Sequence, residues 1–313
     1  MVPARAVRPT HLVEHGVDVP YDDLVTRLAR FATGALIEEA HVTPKPALVD
    51  RRGSGAHRDL SLTVMERSAY SLEPTFAALA RASKGKRPSA ALRAELAIIG
   101  RAGETDMMHA TQGSNAHRGA IWIVGLLVAG ATISSELAVP RTGAEVAAAI
   151  CTIGAQIACF PDEGAPAPVS DSNGSRVRAR YGVGGARREA QEGFPHVLQA
   201  GLPALRAARH RGIAEHAARV DALLAIMTTL DDTCLLHRAG PPASAAAKQG
   251  AGEILSLGGI SAPGGQAAFE RLESRLLALN ASPGGAADLL AATLFIDRLA
   301  PQGADGGTPA WSI

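Results

Sequence analysis

The chain has 313 residues, of which 47% are hydrophobic and 4% aromatic, and its formal net charge is +1. This length can bury a large core, and a charge so close to zero excludes binding to nucleic acid or membrane surfaces through general basicity. The three cysteines form no CxxC pair, and the first 20 residues lack the apolar core of a secretory signal, so we expect a cytoplasmic protein without structural zinc.

Apolar residues recur at helical spacing along most of the chain. After a flexible leader, residues 1–20, this spacing predicts a helix from Tyr21 to about His41, which ends because Pro44 cannot continue it. Further helices are predicted over 61–82, 89–110, 117–133, 142–159, 186–200, 214–238, 243–257, 266–279 and 285–299. No strand-like alternation is found, so we expect an all-α fold: a single multi-helix globular domain over 21–300, with a flexible tail at 301–313.

Three segments refine this prediction. Thr142 followed by Glu145 is typical of a capping box at a helix start. The stretch 119–133 is strongly apolar but has only 15 residues, so it predicts a buried core helix rather than a membrane span. Residues 160–185 are rich in glycine, proline and serine, which is typical of a lid, a binding loop or a disordered segment.

The first polar motif, EEAHVTPKPALVDRRGSGAHRD, is basic and glycine-rich. Its glycines allow backbone amides to approach a ligand closely, and its cations are suited to phosphate. The candidate phosphate ligands are Lys45, Arg51, Arg52, Ser54, His57 and Arg58. A solvated basic loop is the alternative.

Two further motifs place polar side chains at helix ends. In GETDMMHATQGSNAHRGAI, several hydrogen-bonding groups precede a very apolar helix: Glu104, Asp106, Asn115, His117 and Arg118. In YGVGGARREAQEGFP the glycines suggest a nucleotide loop, but no strand precedes them, so a dinucleotide-binding interpretation fails. Arg187 and Glu189 of this motif are suited to anion binding or acid–base chemistry, or they simply begin a helix.

The motif LDDTCLLHRAG places Asp231 and Asp232 in an apolar helix. Buried carboxylates there need a cation or a metal. The alternatives are an exposed face or an ion pair with Arg238.

The last motif, NASPGGAADLLAATLF, predicts a helix that begins at Pro283 with Ser282 as its cap. The amides of Gly284 and Gly285 then lie at the positive helix end, where an anion can dock. A capped helix start without a ligand is the alternative. Together the motifs predict an enzyme that acts on a phosphorylated ligand, but the residue types alone do not define its reaction.

The stretches PKPALVDRRGSGAHRD, NAHRGAIW, GARREAQEGFP, DDTCLLHRAG and NASPGGAADLLAATLF, in this order, resemble the triphosphoribosyl-dephospho-CoA synthase family, in particular its malonate decarboxylase branch. The resemblance implies that ATP and 3′-dephospho-CoA are joined with release of adenine. The product would be the prosthetic-group precursor for the acyl-carrier subunit of malonate decarboxylase. From the net charge of +1 we expect no nucleic-acid or membrane partner, and a homodimer is left open.

On this interpretation we assign roles to the candidate residues. Asp232 is the candidate general base, and Glu189 is a second catalytic candidate. Mg²⁺, bound with ATP, is assigned to Glu39, Glu104 and Asp288. The substrate-binding candidates are Lys45, Arg51, Arg52, Ser54, His57, Arg58, Asn115, His117, Arg118, Arg187, His237, Arg238, Ser282, Gly284 and Gly285.

Two other functions are weighed against this one. A metal-dependent hydrolase of a nucleotide or ADP-ribosyl bond would use water in place of the CoA hydroxyl. A non-catalytic binder of a CoA derivative is suggested by departures from the residues usual in the family, at Ala116, Arg188, Cys234, Ala239 and Ala286. Cys234 matters most, because a thiol is a weaker hydrogen-bond partner than the usual carboxamide.

Overall fold

The structure, a computed structural model, describes residues 23–137, 142–162 and 172–300. Over these residues the regular structure is helical, apart from one isolated bridge between Asp50 and Gly53. The all-α prediction is therefore confirmed. The predicted leader and tail lie outside the described residues.

The first part of the chain follows the predicted helices closely. It forms α1 (Asp23–His41), α2 (Leu62–Ser71), α3 (Glu73–Ser83), α4 (Ala90–Ala110), α5 (Arg118–Ser135) and α6 (Gly143–Cys159). The single helix predicted over 61–82 is wrong, because the chain breaks at Leu72 and Pro74 lies in the first turn of the next helix. The capping box at the start of α6 is confirmed, since Thr142 and Glu145 bond each other's backbone amides.

The second part of the chain is divided into more and shorter helices than the apolar periodicity predicts. It forms α7 (Asn173–Tyr181), α8 (Gly185–Gln191), a π-helical turn (His196–Gly201), α9 (Leu202–His210), α10 (Glu215–Thr229), α11 (Thr233–Ala239), α12 (Pro241–Ser256), α13 (Pro263–Ala278) and α14 (Gly284–Leu299). Helix α7 lies in the segment 160–185, for which no regular structure is predicted. The helix predicted over 186–200 ends early, and α9 is missing from the prediction.

The helix predicted over 214–238 is wrong as one element. It ends at Thr229, and a new helix starts after Asp232, whose side chain accepts the amides of Cys234 and Leu235. Asp232 thus lies at a helix start and not inside an apolar helix. Aspartate is favoured at such a start because it satisfies amides that have no partner within the helix.

Helices α5 and α14 form the centre of the core. Helix α5 packs against α1, α3, α6 and α14, and α14 also packs against α1 and α10. By length and composition α5 is the one described helix that could cross a membrane, but 78% of it is buried inside the protein. The prediction of a buried core helix is therefore confirmed. The N-termini of α5 and α14 lie together, and the candidate site is built around them.

Candidate active site

Asp232 joins the starts of two helices. Its Oδ1 accepts the amides of Cys234 at 2.8 Å and Leu235 at 3.4 Å, and its Oδ2 accepts the amide of Ala286 at 2.9 Å. The amide of Gly285 also donates to this carboxylate. A side chain at Gly285 would come within 3.1 Å of the Asp232 carboxyl carbon. The positive end of α14 therefore does bind an anion, and that anion is Asp232.

This contact changes the interpretation of the glycine-rich bend. The amide of Gly284 donates to the carbonyl of Ser282 at 3.0 Å, so the Gly284 and Gly285 amides have partners within the protein. The predicted Ser282 cap is wrong, because Pro283 is the cap residue of α14 and the first amides of the helix are accepted by Asp232. The Ser282 hydroxyl instead bonds Nε2 of His57 at 2.9 Å.

His57 connects the first basic loop to the two C-terminal motifs. Arg238 donates to Nδ1 of His57 at 3.0 Å and to the carbonyl of Ala56 at 3.0 Å. Because Nδ1 accepts, Nε2 carries the hydrogen and donates to Ser282. Burial and the Arg238 charge lower the pKa of His57 to about 4. This imidazole is therefore neutral near pH 7 and acts as a hydrogen-bonded connector.

A buried ion pair joins the basic loop to the last turns of α1. Nζ of Lys45 contacts the Glu39 carboxylate at 2.5 Å and the Glu39 carbonyl at 2.7 Å, and both residues are at most 3% exposed. Burial raises the pKa of Glu39, although Lys45 opposes the shift. The predicted phosphate ligand Lys45 and the predicted metal ligand Glu39 thus bind each other.

His117 is buried at the start of α5. Its Nδ1 bonds the Ser68 hydroxyl at 2.7 Å, and its Nε2 has no hydrogen-bond partner among the described residues. Burial, with a smaller contribution from Lys45, lowers the pKa of His117 to about 3. His117 is therefore neutral, and Nε2 is left available to a ligand or a water molecule.

Asp288 brings α14 against the start of α5. Its carboxylate accepts the amide of Ala120 and lies so close to Gly119 that no side chain fits there. Burial, followed by the negative charges of Glu39 and Asp232, raises the pKa of Asp288 well above its usual range. Asp288 is half-buried, whereas Glu39 and Asp232 are 3% and 2% exposed. Of these three residues, here named the carboxylate cluster, Asp288 is the one that solvent reaches.

Cys234 lies beside this cluster, with Sγ 2.9 Å from the position that a side chain on Gly284 would take. Burial and the charges of Asp232 and Asp288 raise the pKa of Cys234 well above its usual range. The thiol is therefore protonated at neutral pH and is not a nucleophile.

Other predicted site residues are bound to protein groups. Arg52 contacts Asp50 at 2.8 Å and Glu273 of α13 at 2.6 Å, and it stacks over the Phe269 ring at 5.7 Å. These contacts attach the basic loop to α13. Arg51 bonds the ring of His41 at 2.6 Å.

Glu104 and Glu189 both pair with nearby residues. Glu104 of α4 forms an ion pair with Arg118 at the start of α5. Glu189 accepts the backbone amide and Nδ1 of His196 at 2.9 and 2.6 Å, which stabilises the π-helical turn. Their metal-binding and catalytic roles stay predictions.

The remaining candidates lie at or near the surface. The Asn115 carboxamide accepts the amide of Arg118 at 3.2 Å, so it supports the start of α5. Ser54 is half-buried in the basic loop. The exposed candidates are Arg58, Arg187 and His237.

A cavity of about 220 Å³ lies between α3, α4 and α5 and is lined in part by the first turns of α5. Glu104 and Arg118 line it, and so do Arg93, Trp122 and Asp162, which the sequence analysis does not identify. Arg93 is a charged residue among apolar ones in α4, and this is the signal in the sequence that could have indicated the cavity. The described residues contain no group of three or more His, Cys, Asp or Glu side chains arranged to hold a metal.

Comparison with known proteins decides the family. Residues 25–305 match the family model described as ATP:dephospho-CoA triphosphoribosyl transferase. The chain belongs to this family. The predicted family is thus confirmed, and the chain is an enzyme of the transferase class.

Curated relatives of this transferase family cover most of the chain. A protein from Pseudomonas paraeruginosa, described as a probable 2-(5″-triphosphoribosyl)-3′-dephosphocoenzyme-A synthase, is 54% identical over 90% of this chain and 93% of its own. A synthase of the same description from Klebsiella pneumoniae is 52% identical over 88% of this chain and 95% of its own. No solved structure matches the chain.

Proposed function

We propose that this transferase moves the triphosphoribosyl group of ATP to the 2′-hydroxyl of 3′-dephospho-CoA and releases adenine. The family match over residues 25–305 carries the proposal. The carboxylate cluster supports it, since the reaction requires a base for a hydroxyl nucleophile.

The reaction exchanges one bond at ribose C1 of ATP for another. The bond from C1 to the ring nitrogen of adenine breaks, and a bond from C1 to the acceptor 2′-oxygen forms on the opposite face. The hydroxyl proton passes to a protein base, and adenine leaves after gaining a proton on the ring. An oxocarbenium-like transition state is expected, as in glycoside hydrolysis.

Asp288 is the base that the geometry favours. It is the half-buried member of the cluster, and burial and the neighbouring negative charges raise its pKa, which makes its carboxylate a stronger base. Asp232 instead accepts backbone amides on both oxygens, so we assign it to positioning the starts of α11 and α14.

The triphosphate is assigned to the open side of the basic loop. Arg51 and Arg58 are exposed there and form no ion pair with a carboxylate among the described residues. Lys45 and Arg52 have carboxylate partners and hold the loop in shape. Arginine is suited to contact with phosphate oxygens because its guanidinium donates two parallel hydrogen bonds.

The described carboxylates do not form a cage for Mg²⁺. Glu39 is paired with Lys45 and Glu104 with Arg118, which leaves Asp288 as the one open member of the predicted metal set. Mg²⁺ commonly takes one or two protein carboxylates in addition to substrate phosphates. We therefore infer that Mg²⁺ is brought in by ATP itself, and no step is assigned to it.

The function is tested with the purified protein, MgATP and 3′-dephospho-CoA. The expected result is one adenine released per product molecule, with the product mass equal to the sum of both substrates minus adenine. Adenine release without the acceptor would indicate a hydrolase instead. Binding of both ligands without adenine release would indicate a non-catalytic binder.

We also propose that the product serves malonate decarboxylase. The resemblance of the signature stretches to that branch supports this partner. Purified product, with the matching transferase, is expected to modify the acyl-carrier subunit of malonate decarboxylase. Modification of the citrate lyase subunit in its place would contradict the assignment.

A further inference from the structure

The cavity between α3, α4 and α5 has both apolar and charged lining residues. Helices α3, α4 and α5 each contribute apolar residues, and five charged residues also line the cavity. The apolar lining residues are Leu79, Leu96, Ala97, Ile121, Trp122 and Leu126. The charged ones are Arg93, Arg101, Glu104, Arg118 and Asp162. Such a cavity is suited to a flat apolar ligand with polar atoms on one edge.

Arg93 has an unused donor in this cavity. It is 9% exposed, and its guanidinium lies 4.7 Å from the centre of the Trp122 ring. Its contact with Asp162 is long, at 3.8 Å, because the same Asp162 oxygen accepts Arg101 at 2.8 Å. Nε of Arg93 is buried without a hydrogen-bond partner among the described residues.

Asp162 supplies the matching unused acceptor. Its Oδ1 is likewise buried, with no hydrogen-bond partner in the part of the chain that the structure describes. Buried polar atoms are nearly always paired, so a donor and an acceptor without partners, on two side chains that line one cavity, point to a ligand. The ligand must offer an acceptor and a donor together. A phosphate does not fit, since it would meet the Asp162 carboxylate.

Adenine meets this requirement. It carries ring nitrogens that accept hydrogen bonds next to an amino group that donates them, and its faces are apolar enough for the cavity walls. The volume of about 220 Å³ is enough for one base.

The position of the cavity agrees with the chemistry of the transfer. Arg118, Ile121 and Trp122 line it from the first turns of α5, and Gly119 and Ala120 of the same turns contact Asp288. In ATP the reacting carbon carries adenine directly. In 3′-dephospho-CoA the reacting hydroxyl is on the carbon next to the one that carries adenine. The base of ATP is therefore bonded to the reacting carbon itself, and the base of 3′-dephospho-CoA lies within one ribose of the reacting hydroxyl.

We propose that this cavity binds the adenine ring of one of the two substrates, with Arg93 donating to a ring nitrogen and Asp162 accepting from the amino group. The proposal rests on the proposed function for the identity of the two nucleotides. It adds specificity residues on α4 and after α6 to that site.

The first test fills the cavity. Ala97→Phe places a ring in it, and Ala102→Phe is the matched control because Ala102 is exposed on the same helix. Calorimetry of the full-length protein with adenosine is expected to show at least tenfold weaker binding for Ala97→Phe than for the control. The KM for either ATP or 3′-dephospho-CoA should rise at least tenfold, which identifies the nucleotide that uses the cavity. Unchanged adenosine affinity and unchanged KM for both substrates would overturn the proposal.

The second test examines hydrogen-bond recognition. Inosine replaces the amino donor of adenosine by an acceptor, so the wild-type protein should bind adenosine at least tenfold more tightly than inosine. Asp162→Ala should lose this preference while circular dichroism shows an unchanged fold. Equal affinities for the two nucleosides in the wild type, or a preference that survives in Asp162→Ala, would contradict the assignment.

These measurements separate the cavity from the reaction. If the wild type makes product but Ala97→Phe binds both substrates normally, the adenine cavity is wrong and the proposed transfer stands. If adenosine binding depends on Ala97 and Asp162 but no adenine is released from ATP, the cavity stands and the transfer is wrong.

Pantetheine is the control ligand. The wild type is expected to bind pantetheine more weakly than adenosine, and the reverse order of affinities would overturn the proposal.

Discussion

Asp288 and Asp232 lie in one cluster, yet their surroundings give them different tasks. Asp232 is 2% exposed and accepts amides from α11 and α14. Asp288 is half-buried, and the negative charges of Glu39 and Asp232 both raise its pKa. Two carboxylates of one type thus separate into a helix cap and the proposed general base.

Asp288→Asn tests the proposed general base. An asparagine keeps an acceptor for the Ala120 amide but cannot take a proton, so adenine release should fall by about 10²–10⁴-fold, while ATP binding changes little. Adenine release is followed by chromatography. The exposed Asp106 provides the control, and Asp106→Asn should retain wild-type activity. An Asp288→Asn variant within threefold of wild type would exclude Asp288 as the base.

The same substitution has a pH-dependent effect on stability. Because the folded state raises the pKa of Asp288, it holds that proton more tightly than the unfolded chain. The contribution to stability is therefore complete below the unfolded pKa and is lost as the pH rises through the folded pKa. Asp288→Asn should have a higher Tm than wild type at pH 8, and the difference should nearly vanish at pH 4. A Tm difference that grows toward low pH would contradict the raised pKa.

Asp232→Asn should act mainly through the fold. An asparagine presents an NH₂ group where one carboxylate oxygen accepts amides from α11 or α14, so at least one buried amide loses its partner. We expect a loss of about 1–3 kcal/mol in the free energy of unfolding, measured by urea denaturation, together with lower activity. Asp231→Asn is the neighbouring control, since Asp231 pairs only with Lys248 at the surface, and it should change stability by less than about 0.5 kcal/mol.

At the scale of elements, small residues set how closely the core helices approach. A side chain at Gly130 of α5 would lie too close to the Ile150 carbonyl of α6, so the two helices touch through their backbones. A side chain at Gly154 of α6 would lie 3.3 Å from the Leu126 carbonyl oxygen of α5. The abundance of alanine and glycine in this chain thus produces a dense helical core with few aromatic residues.

Two glycine substitutions test this packing. Gly130→Ala should destabilise the protein by about 1–3 kcal/mol, because the added methyl group forces α5 and α6 apart. Gly252→Ala in α12 is the matched control, as nothing lies within 4 Å of its added side chain, and it should stabilise the protein by about 0.5–1 kcal/mol. Thermal unfolding followed by circular dichroism measures both. Equal effects of the two substitutions would contradict the close approach.

At the scale of the whole molecule, the site depends on segments far apart in sequence. Arg238 of the fourth motif contacts His57 and the Ala56 carbonyl of the first, and Ser282 of the last completes the connection. The basic loop is therefore held in place by the C-terminal part of the chain. Lys45 joins the loop to Glu39 of the carboxylate cluster, and the cavity shares the first turns of α5 with Asp288 of that cluster.

Arg238→Met tests this connection. Without the guanidinium, the Ala56 carbonyl and His57 lose their donor, so the loop should become mobile and the KM for ATP should rise by about tenfold, since one or two hydrogen bonds are removed. Arg271→Met is the control, because Arg271 pairs with Glu253 at the surface and should leave the KM unchanged. Steady-state kinetics at fixed 3′-dephospho-CoA measure both, and identical KM values would show that the connection does not shape the site.

The sequence by itself determined the helical class, most helix positions and the family. Apolar spacing reports directly which face of each helix is buried, so α1, α4, α5 and α6 were predictable, as was the capping box at Thr142 and Glu145. The breaks at Leu72 and after Thr229 were not, because apolar periodicity continues across both and local caps interrupt it.

Only the tertiary structure decided the partners of the charged residues. Lys45 was suited to phosphate and Glu39 to metal, yet each binds the other in the core, and the helix start expected to bind a substrate anion binds Asp232. The unpaired donor of Arg93 and the unpaired acceptor of Asp162 could not be predicted from the sequence either. A charge shows what a side chain can bind, but its partner is chosen by which groups the fold brings within hydrogen-bond distance and shields from water.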